Sequence, residues 1–245
     1  MRPRVTWAVA ARVLRQLRRD RRTLAMLMLV PCLLMTLFWW MFQDLDPAVF
    51  DRIGPALLAL FPFTVMFLVT SVTTLRERAS GTLERLLAMP MGKLDFLLGY
   101  AIAFGVMAAL QSVLAVALSA GLLSLELAGP LWLLTVVAVA DAVLGTALGL
   151  FVSAFARTEF QAVQFMPALV IPQILLCGLI VPREALPPAL EAISNVLPLS
   201  YAVDAMNTLT TSTDTADVWG DVLVVMAFAV AGLAFGAATL RRRTP

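Results

Sequence analysis

The sequence predicts an all-α integral membrane protein with six transmembrane helices, and three observations carry that prediction. The chain is 61% apolar and only 14% charged, with a mean hydropathy of +0.91, more apolar than a soluble core of this size requires. Its apolar residues fall into six runs of about the 20 residues that cross a bilayer as a helix. The basic residues gather in alternate connections, as they do on one side of a membrane. Helices are expected because they satisfy their own backbone polar groups, and the runs lack the alternation of an outer-membrane barrel. The whole chain, 1–245, reads as a single domain.

Residues 1–23 are expected to form an amphipathic helix at the membrane interface. Trp7, Ala10, Val13, Leu14 and Leu17 share one helical face, while Arg12, Arg15, Arg18, Arg19 and Arg22 share another. Apolar insertion and attraction to anionic lipid would hold it, with Trp7, Arg12, Arg15 and Arg19 as the contacts. The alternative is a basic tail that only marks orientation. The basic stretch is long and no small-residue cleavage site follows a short apolar core, so a cleavable signal peptide is not expected.

The spans are placed at 24–42, 53–75, 94–123, 131–155, 161–181 and 218–240. The third has slack for a tilt or an extension beyond the bilayer. Between the second and third, residues 79–91 read as a short amphipathic helix with Leu83, Leu86 and Leu87 as its apolar positions. Glu84 and Arg85 face elsewhere, and Pro90 ends it. Residues 182–213 are too polar to span and too apolar for a free loop. Pro187 and Pro188 suit a helix start and Pro198 a break, so two short re-entrant helices are expected there, covered by protein.

Charge sets the orientation. Eight arginines lie between Arg2 and Arg22, and Arg76, Arg78, Arg85, Lys93, Arg157 and Arg241–Arg243 bring that side to 16 of the 18 basic residues. The other connections are acidic, with Arg52 and Arg183 alone among many Asp and Glu. Both termini are therefore expected in the cytoplasm. Trp39, Trp40, Trp132 and Trp219 fall near the outer ends of spans, the expected aromatic belt.

The residue inventory argues against an enzyme. There is no histidine, which removes the commonest general base and metal ligand. Cys32 and Cys177 lie inside apolar runs and read as packing thiols. The Gly92–Lys93 pair is not a phosphate-binding loop, because Leu87 stands where the first glycine belongs and Leu94 where the hydroxyl belongs. No cofactor, metal or nucleic acid is expected on this chain.

Two features inside the spans have a packing and a functional reading. Asp141, Gly145 and Gly149 share a helix face at i, i+4, i+8. The glycine pair marks close helix packing, and Asp141 either hydrogen-bonds within that contact or serves substrate passage or proton coupling. In the fifth span, Gln161, Gln164 and Gln173 accompany Pro167 and Pro172. Prolines bend a helix and free carbonyls, so Gln164 and Gln173 either line a pathway or subunit contact or are amides bonded within a packed, bent helix.

The stretch RERASGTLERLLAMPMGKLDFLLGY (Arg76–Tyr100) resembles the hallmark of type-two ABC transporter permeases, the exporter subunits that include daunorubicin-resistance permeases. The stretches ARTEFQAVQFMPALVIPQILLCGLIVPREALPPAL and NVLPLSYAVDAM resemble the C-terminal half of the same family. The resemblance covers nearly the whole chain. It implies that residues 79–91 are a coupling helix docked in a groove of a separate P-loop ATPase, with Leu83, Leu86 and Leu87 as anchors. Glu77, Glu84 and Arg85 would set the register, and Arg157 and Glu159 would make a second inside contact. It implies two ATPase copies, which hold ATP and magnesium, and a second permease copy, identical or paralogous. It further implies a bacterial plasma membrane and outward movement of hydrophobic or amphipathic cargo such as drugs, antibiotics or lipids. A lipid-linked glycan exporter and a membrane anchor or sensor that recruits an ATPase without moving cargo remain open, and a membrane enzyme ranks last.

Overall fold

The computed structural model describes residues 3–44, 47–79, 92–156 and 158–239. These form nine α-helices and one 3-10 turn: α1 (Pro3–Arg19), α2 (Arg21–Gln43), α3 (Pro47–Ala79), α4 (Lys93–Gly121), α5 (Leu131–Val152), α6 (Glu159–Leu176), the turn Arg183–Ala185, α7 (Pro188–Ser194), α8 (Pro198–Thr211) and α9 (Ala216–Thr239). No strand occurs among the described residues. Six helices, α2 to α6 and α9, are long and apolar enough to cross a membrane. The chain is an all-helical multi-pass membrane protein, as the composition predicts.

Local chemistry sets the boundaries. Asp20 separates α1 from α2: its carboxylate accepts from the Thr23 backbone N–H at 3.1 Å and from the Thr23 hydroxyl at 2.7 Å, capping the first span. Asp95 accepts from the Gly92 N–H at 3.1 Å and starts α4. The Thr158 hydroxyl accepts from the Gln161 N–H at 3.2 Å and starts α6. Gly178, at φ +94°, ends the backbone leaving α6, a left-handed conformation that glycine adopts without strain. α3 runs longer than the apolar pattern of 53–75, because Asp51, Arg52, Arg76 and Glu77 stay helical beyond the apolar stretch. α6 stops short of the expected 181 at that glycine.

α5 is the centre of the bundle. In its most apolar stretch 72% of residues are buried, against 17% for α6 and 22% for α2, so α5 is packed by protein and the other two are peripheral. α3 and α5 run parallel in close contact. A Cβ on Gly145 would sit 2.4 Å from the Phe63 carbonyl oxygen, and one on Gly149 would sit 2.5 Å from that of Phe67. Only glycine permits this backbone-to-backbone approach, the expected use of the small-residue pair.

The amphipathic helix α1 forms, but its apolar stripe packs on protein. Val9, Ala10, Val13 and Leu17 are buried in a cluster with Phe96, Tyr100 and Phe104 of α4. A Cβ on Gly99 would lie 2.6 Å from the Val9 side chain, so the glycine admits α1 against α4. Trp7, expected on the same face, is 64% exposed on another sector. The face most apolar in sequence is thus spent on a tertiary contact, and Trp7 is left as the exposed aromatic.

Two short helices precede α9, as expected for 182–213. α7 is largely exposed, while α8 buries Leu199, Ala202, Val203, Ala205, Met206 and Leu209. Arg183 ties the pair together: its guanidinium donates to Asp204 and Asn195 and lies 5.5 Å from the centre of the Tyr201 ring. Trp132 and Trp219 stack loosely at the starts of α5 and α9, with centroids 6.2 Å apart.

Candidate functional site

At the basic end of the bundle, three elements distant in sequence are joined by charge. The last turn of α3 carries Arg76 and Glu77 side by side, and a helix sends neighbouring residues about 100° apart. Glu77 therefore turns to α1, where Arg12 meets it at 3.5 Å. Arg76 turns to the first turn of α6, where Glu159 accepts from Nε and Nη2, both at 3.0 Å. This fork matches the planar carboxylate and fixes orientation as well as distance. Glu159 also suits its place, since an acid in the first turn complements the helix dipole.

The two pairs differ in environment. Glu77 is only 6% exposed, so Arg12 offsets part of the cost of desolvating its charge. Arg76 and Glu159 are 61% and 51% exposed, where water screens the pair and its contribution to stability is small. Asp20 lies near the same cluster. Its carboxyl is held below the usual carboxylate range chiefly by the Thr23 hydroxyl, then by the Thr23 N–H.

Of the residues expected to contact an ATPase, Glu77 and Glu159 stand here, on either side of Arg76. Leu83, Glu84, Arg85, Leu86, Leu87 and Arg157 lie outside the described residues, as does nearly all of the expected helix 79–91. Arg76 was not singled out as a site residue, because nothing in local spacing pairs it with an acid 83 positions away.

Inside the bundle, Asp141 is fully buried, and neither of its carboxylate oxygens accepts a hydrogen bond among the described residues. It lies one turn before Gly145, on the helix that packs most closely against α3. Gln111 of α4 is also fully buried, with no partner for either amide atom among the described residues. It is the lone amide of its span, a signal of the same kind as the glutamines of α6.

Those glutamines divide. Gln173 is buried; its Nε2 donates to the Leu169 carbonyl at 3.0 Å and its Oε1 accepts from the Leu199 N–H at 3.3 Å. It joins α6 to the start of α8, where the backbone N–H groups lack partners within the helix. Gln164 is exposed and lines a cleft of about 470 Å³ with Phe155, Gln161, Phe165 and Ala168. Exposed amides stand out on α6, which also has the lowest hydropathy of the six spans. Trp7, Arg15 and Arg19 of α1 are exposed, and Arg12 is half-buried beside Glu77.

Comparison with known proteins agrees with this architecture. The family model described as ABC-2 type transporter matches residues 4–209. The chain is 28% identical over 165 residues to an Escherichia coli protein named "Probable multidrug ABC transporter permease YbhR", covering 67% of this chain and 44% of that one. It is 29% identical over 205 residues to the Escherichia coli "Inner membrane transport permease YhhJ", covering 82% of this chain and 53% of that one. It is 25% identical over 183 residues to "ABC transporter G family member 20" of Dictyostelium discoideum, covering 74% of this chain and 25% of that one. The chain thus spans between a quarter and about half of the length of these relatives. With six membrane-spanning helices and a family match running from α1 into α8, the chain belongs to the ABC-2 type transporter family.

Proposed function

We propose that this chain is a transmembrane subunit of an ABC exporter that moves hydrophobic or amphipathic small molecules outward across a bacterial plasma membrane, powered by ATPase subunits on separate chains. The observation that carries the reading is the pair of ion pairs at the end of α3. Residues 79–91 follow Arg76 and Glu77 closely in sequence. A force applied to that segment by an ATPase acts on α3, and through Arg76–Glu159 and Arg12–Glu77 on α6 and α1 as well. ATP and magnesium would reside on the ATPase.

The sparse burial of α6 and its exposed amides support a second permease copy against this face, with the cleft at Gln161 and Gln164 on the cargo route. Lipid is a poor neighbour for amides, which lose their hydrogen bonds there. The charge asymmetry supports cytoplasmic termini and an outer position for residues 183–217. The relatives named as multidrug permeases favour small amphipathic cargo over a lipid-linked glycan.

The test is copurification from native membranes, identification of the accompanying ATPase, and reconstitution of the complex into vesicles. ATP-dependent movement of amphipathic dyes, with cargo-stimulated ATP hydrolysis, is expected. A stable complex that hydrolyses ATP and moves no cargo would favour the anchor reading.

A further inference from the structure

Two clefts meet along α1. One, of about 370 Å³, is lined by Arg12, Arg15, Gln16 and Arg19 and contains no acid. The other, of about 290 Å³, shares Arg12 and Gln16 and reaches Asp20, Thr73, Arg76 and Glu77. The charges of the second cleft are already matched. Arg12 meets Glu77 at 3.5 Å, Arg76 is forked on Glu159, and Asp20 accepts from Thr23.

Positive charge is left over on the first cleft. Arg15 and Arg19 make no ion pair among the described residues. Nη1 of Arg12 is buried with no hydrogen-bond partner among them. Arg15 donates Nε back to the Ala11 carbonyl at 3.1 Å, which steadies the base of its guanidinium and leaves the terminal nitrogens for a ligand. Successive turns of one helix face thus present the unpaired Arg15 and Arg19, beside the Glu77-paired Arg12, as planar donors suited to a phosphate oxyanion.

The place of the cleft says which phosphate. It runs along α1 to Arg19, and the first span begins two residues later at Arg21. The guanidiniums therefore stand at headgroup depth, where anionic lipids collect basic side chains. From the exposed Arg22, α2 presents Met26, Leu29, Leu33 and Leu37 along one face, all at least half exposed. That apolar ladder suits an acyl chain and is of no use to a free anion.

We propose that this cleft is a discrete site for one anionic glycerophospholipid, its phosphodiester held by Arg12, Arg15 and Arg19 and its acyl chains against α2. This goes beyond the transport reading and stands whether or not the chain moves cargo. A basic stripe that merely attracts a charged surface binds no lipid in fixed stoichiometry, whereas this site does.

The full chain, purified in mild detergent, is titrated with phosphatidylglycerol, phosphatidylcholine or inorganic phosphate and read by native mass spectrometry. One phosphatidylglycerol per chain is expected, well ahead of phosphatidylcholine. Arg15→Gln/Arg19→Gln is expected to weaken it about thirtyfold, and Arg19→Gln alone about fivefold. Arg18→Gln, outside both clefts, is expected to leave it unchanged. The single variant serves if the double variant fails to keep its helix content. Equal losses from Arg18→Gln and Arg19→Gln would show diffuse attraction and overturn the site. Equal retention of phosphatidylcholine, or displacement of phosphatidylglycerol by equimolar inorganic phosphate, would overturn the lipid assignment.

Discussion

Arg76, at the end of α3, and Glu159, at the start of α6, form a forked ion pair with both N–O distances at 3.0 Å. Both side chains are more than half exposed, so the pair adds roughly 0–1 kcal/mol to stability. Its expected consequence is mechanical, because it would make the start of α6 follow the end of α3. Arg76→Ala is therefore expected to leave membrane levels and thermal unfolding unchanged. Transport should fall about fivefold, the effect of a coupling worth about 1 kcal/mol. The exchange Arg76→Glu/Glu159→Arg should recover most of it. A single variant that transports at the wild-type rate would reduce the pair to decoration.

The α3–α5 contact is expected to be intolerant of bulk. At Gly149 a Cβ would fall 2.5 Å from the Phe67 carbonyl oxygen and 3.1 Å from the Thr70 Cβ. Backbone cannot turn aside as a side chain can, so the helices must separate, at roughly 1–3 kcal/mol. Gly149→Ala should lower the unfolding temperature in detergent and reduce membrane yield. Gly220→Ala, in the same measurement, should be neutral, because nothing lies within 4 Å of the position its Cβ would take.

Asp20 predicts an acid limb in stability. Its carboxyl titrates below the usual range, chiefly because the Thr23 hydroxyl donates to it. The folded form therefore holds its proton less tightly than the unfolded form. The stabilisation is present above the unfolded-state value and is lost as pH falls through the folded-state value. Asp20→Asn can still accept at the cap but cannot titrate. The drop in unfolding temperature between pH 7 and pH 3 should be smaller in Asp20→Asn than in the wild type, and an equal drop would remove Asp20 as a source of it.

Much of the fold was legible in the sequence because a bilayer imposes a simple code: length and hydropathy give spans. The glycine pair at 145 and 149 likewise announced close packing. The partner of Arg76 was not legible, since a contact between residues 76 and 159 depends on how spans pack and not on any local period. The direction of α1 was read only partly. Its apolar stripe was visible, but a stripe does not say whether lipid or protein covers it, and Gly99 on another helix decides for protein. Gln173 and Gln164 looked equivalent in sequence. One lies under α8 and the other on the exposed face, a distinction set by tertiary packing.

Asp141 is expected to act by packing. It is fully buried beside the α3–α5 contact, and an amide fills the same space with hydrogen-bonding groups of its own. Asp141→Asn should keep dye transport and complex assembly at wild-type levels. A large loss of transport in an assembled complex would instead assign it to cargo passage or proton coupling.

The coupling assignment makes the sharpest prediction. Leu86 and Leu87 are expected to be buried in a groove of the ATPase. Burying a leucine is worth roughly 1.5–3 kcal/mol, so Leu86→Asp/Leu87→Asp removes on the order of 3–6 kcal/mol from the docking contact and adds the penalty of desolvating charge. Insertion should be unaffected, because the segment lies between spans and Arg76, Arg78 and Lys93 keep the flanking positive charge. The ion pairs at Arg12–Glu77 and Arg76–Glu159 should also persist, since none of their four residues is substituted. The permease should therefore reach the membrane at normal levels, recover little ATPase on pull-down and show no ATP-dependent export. Leu122→Asn is the control: Leu122, just past the end of α4, is 74% exposed, and its replacement should leave ATPase recovery intact. Wild-type ATPase binding and export by the double variant would mean that residues 79–91 are not the coupling contact, and that the ATPase pushes elsewhere.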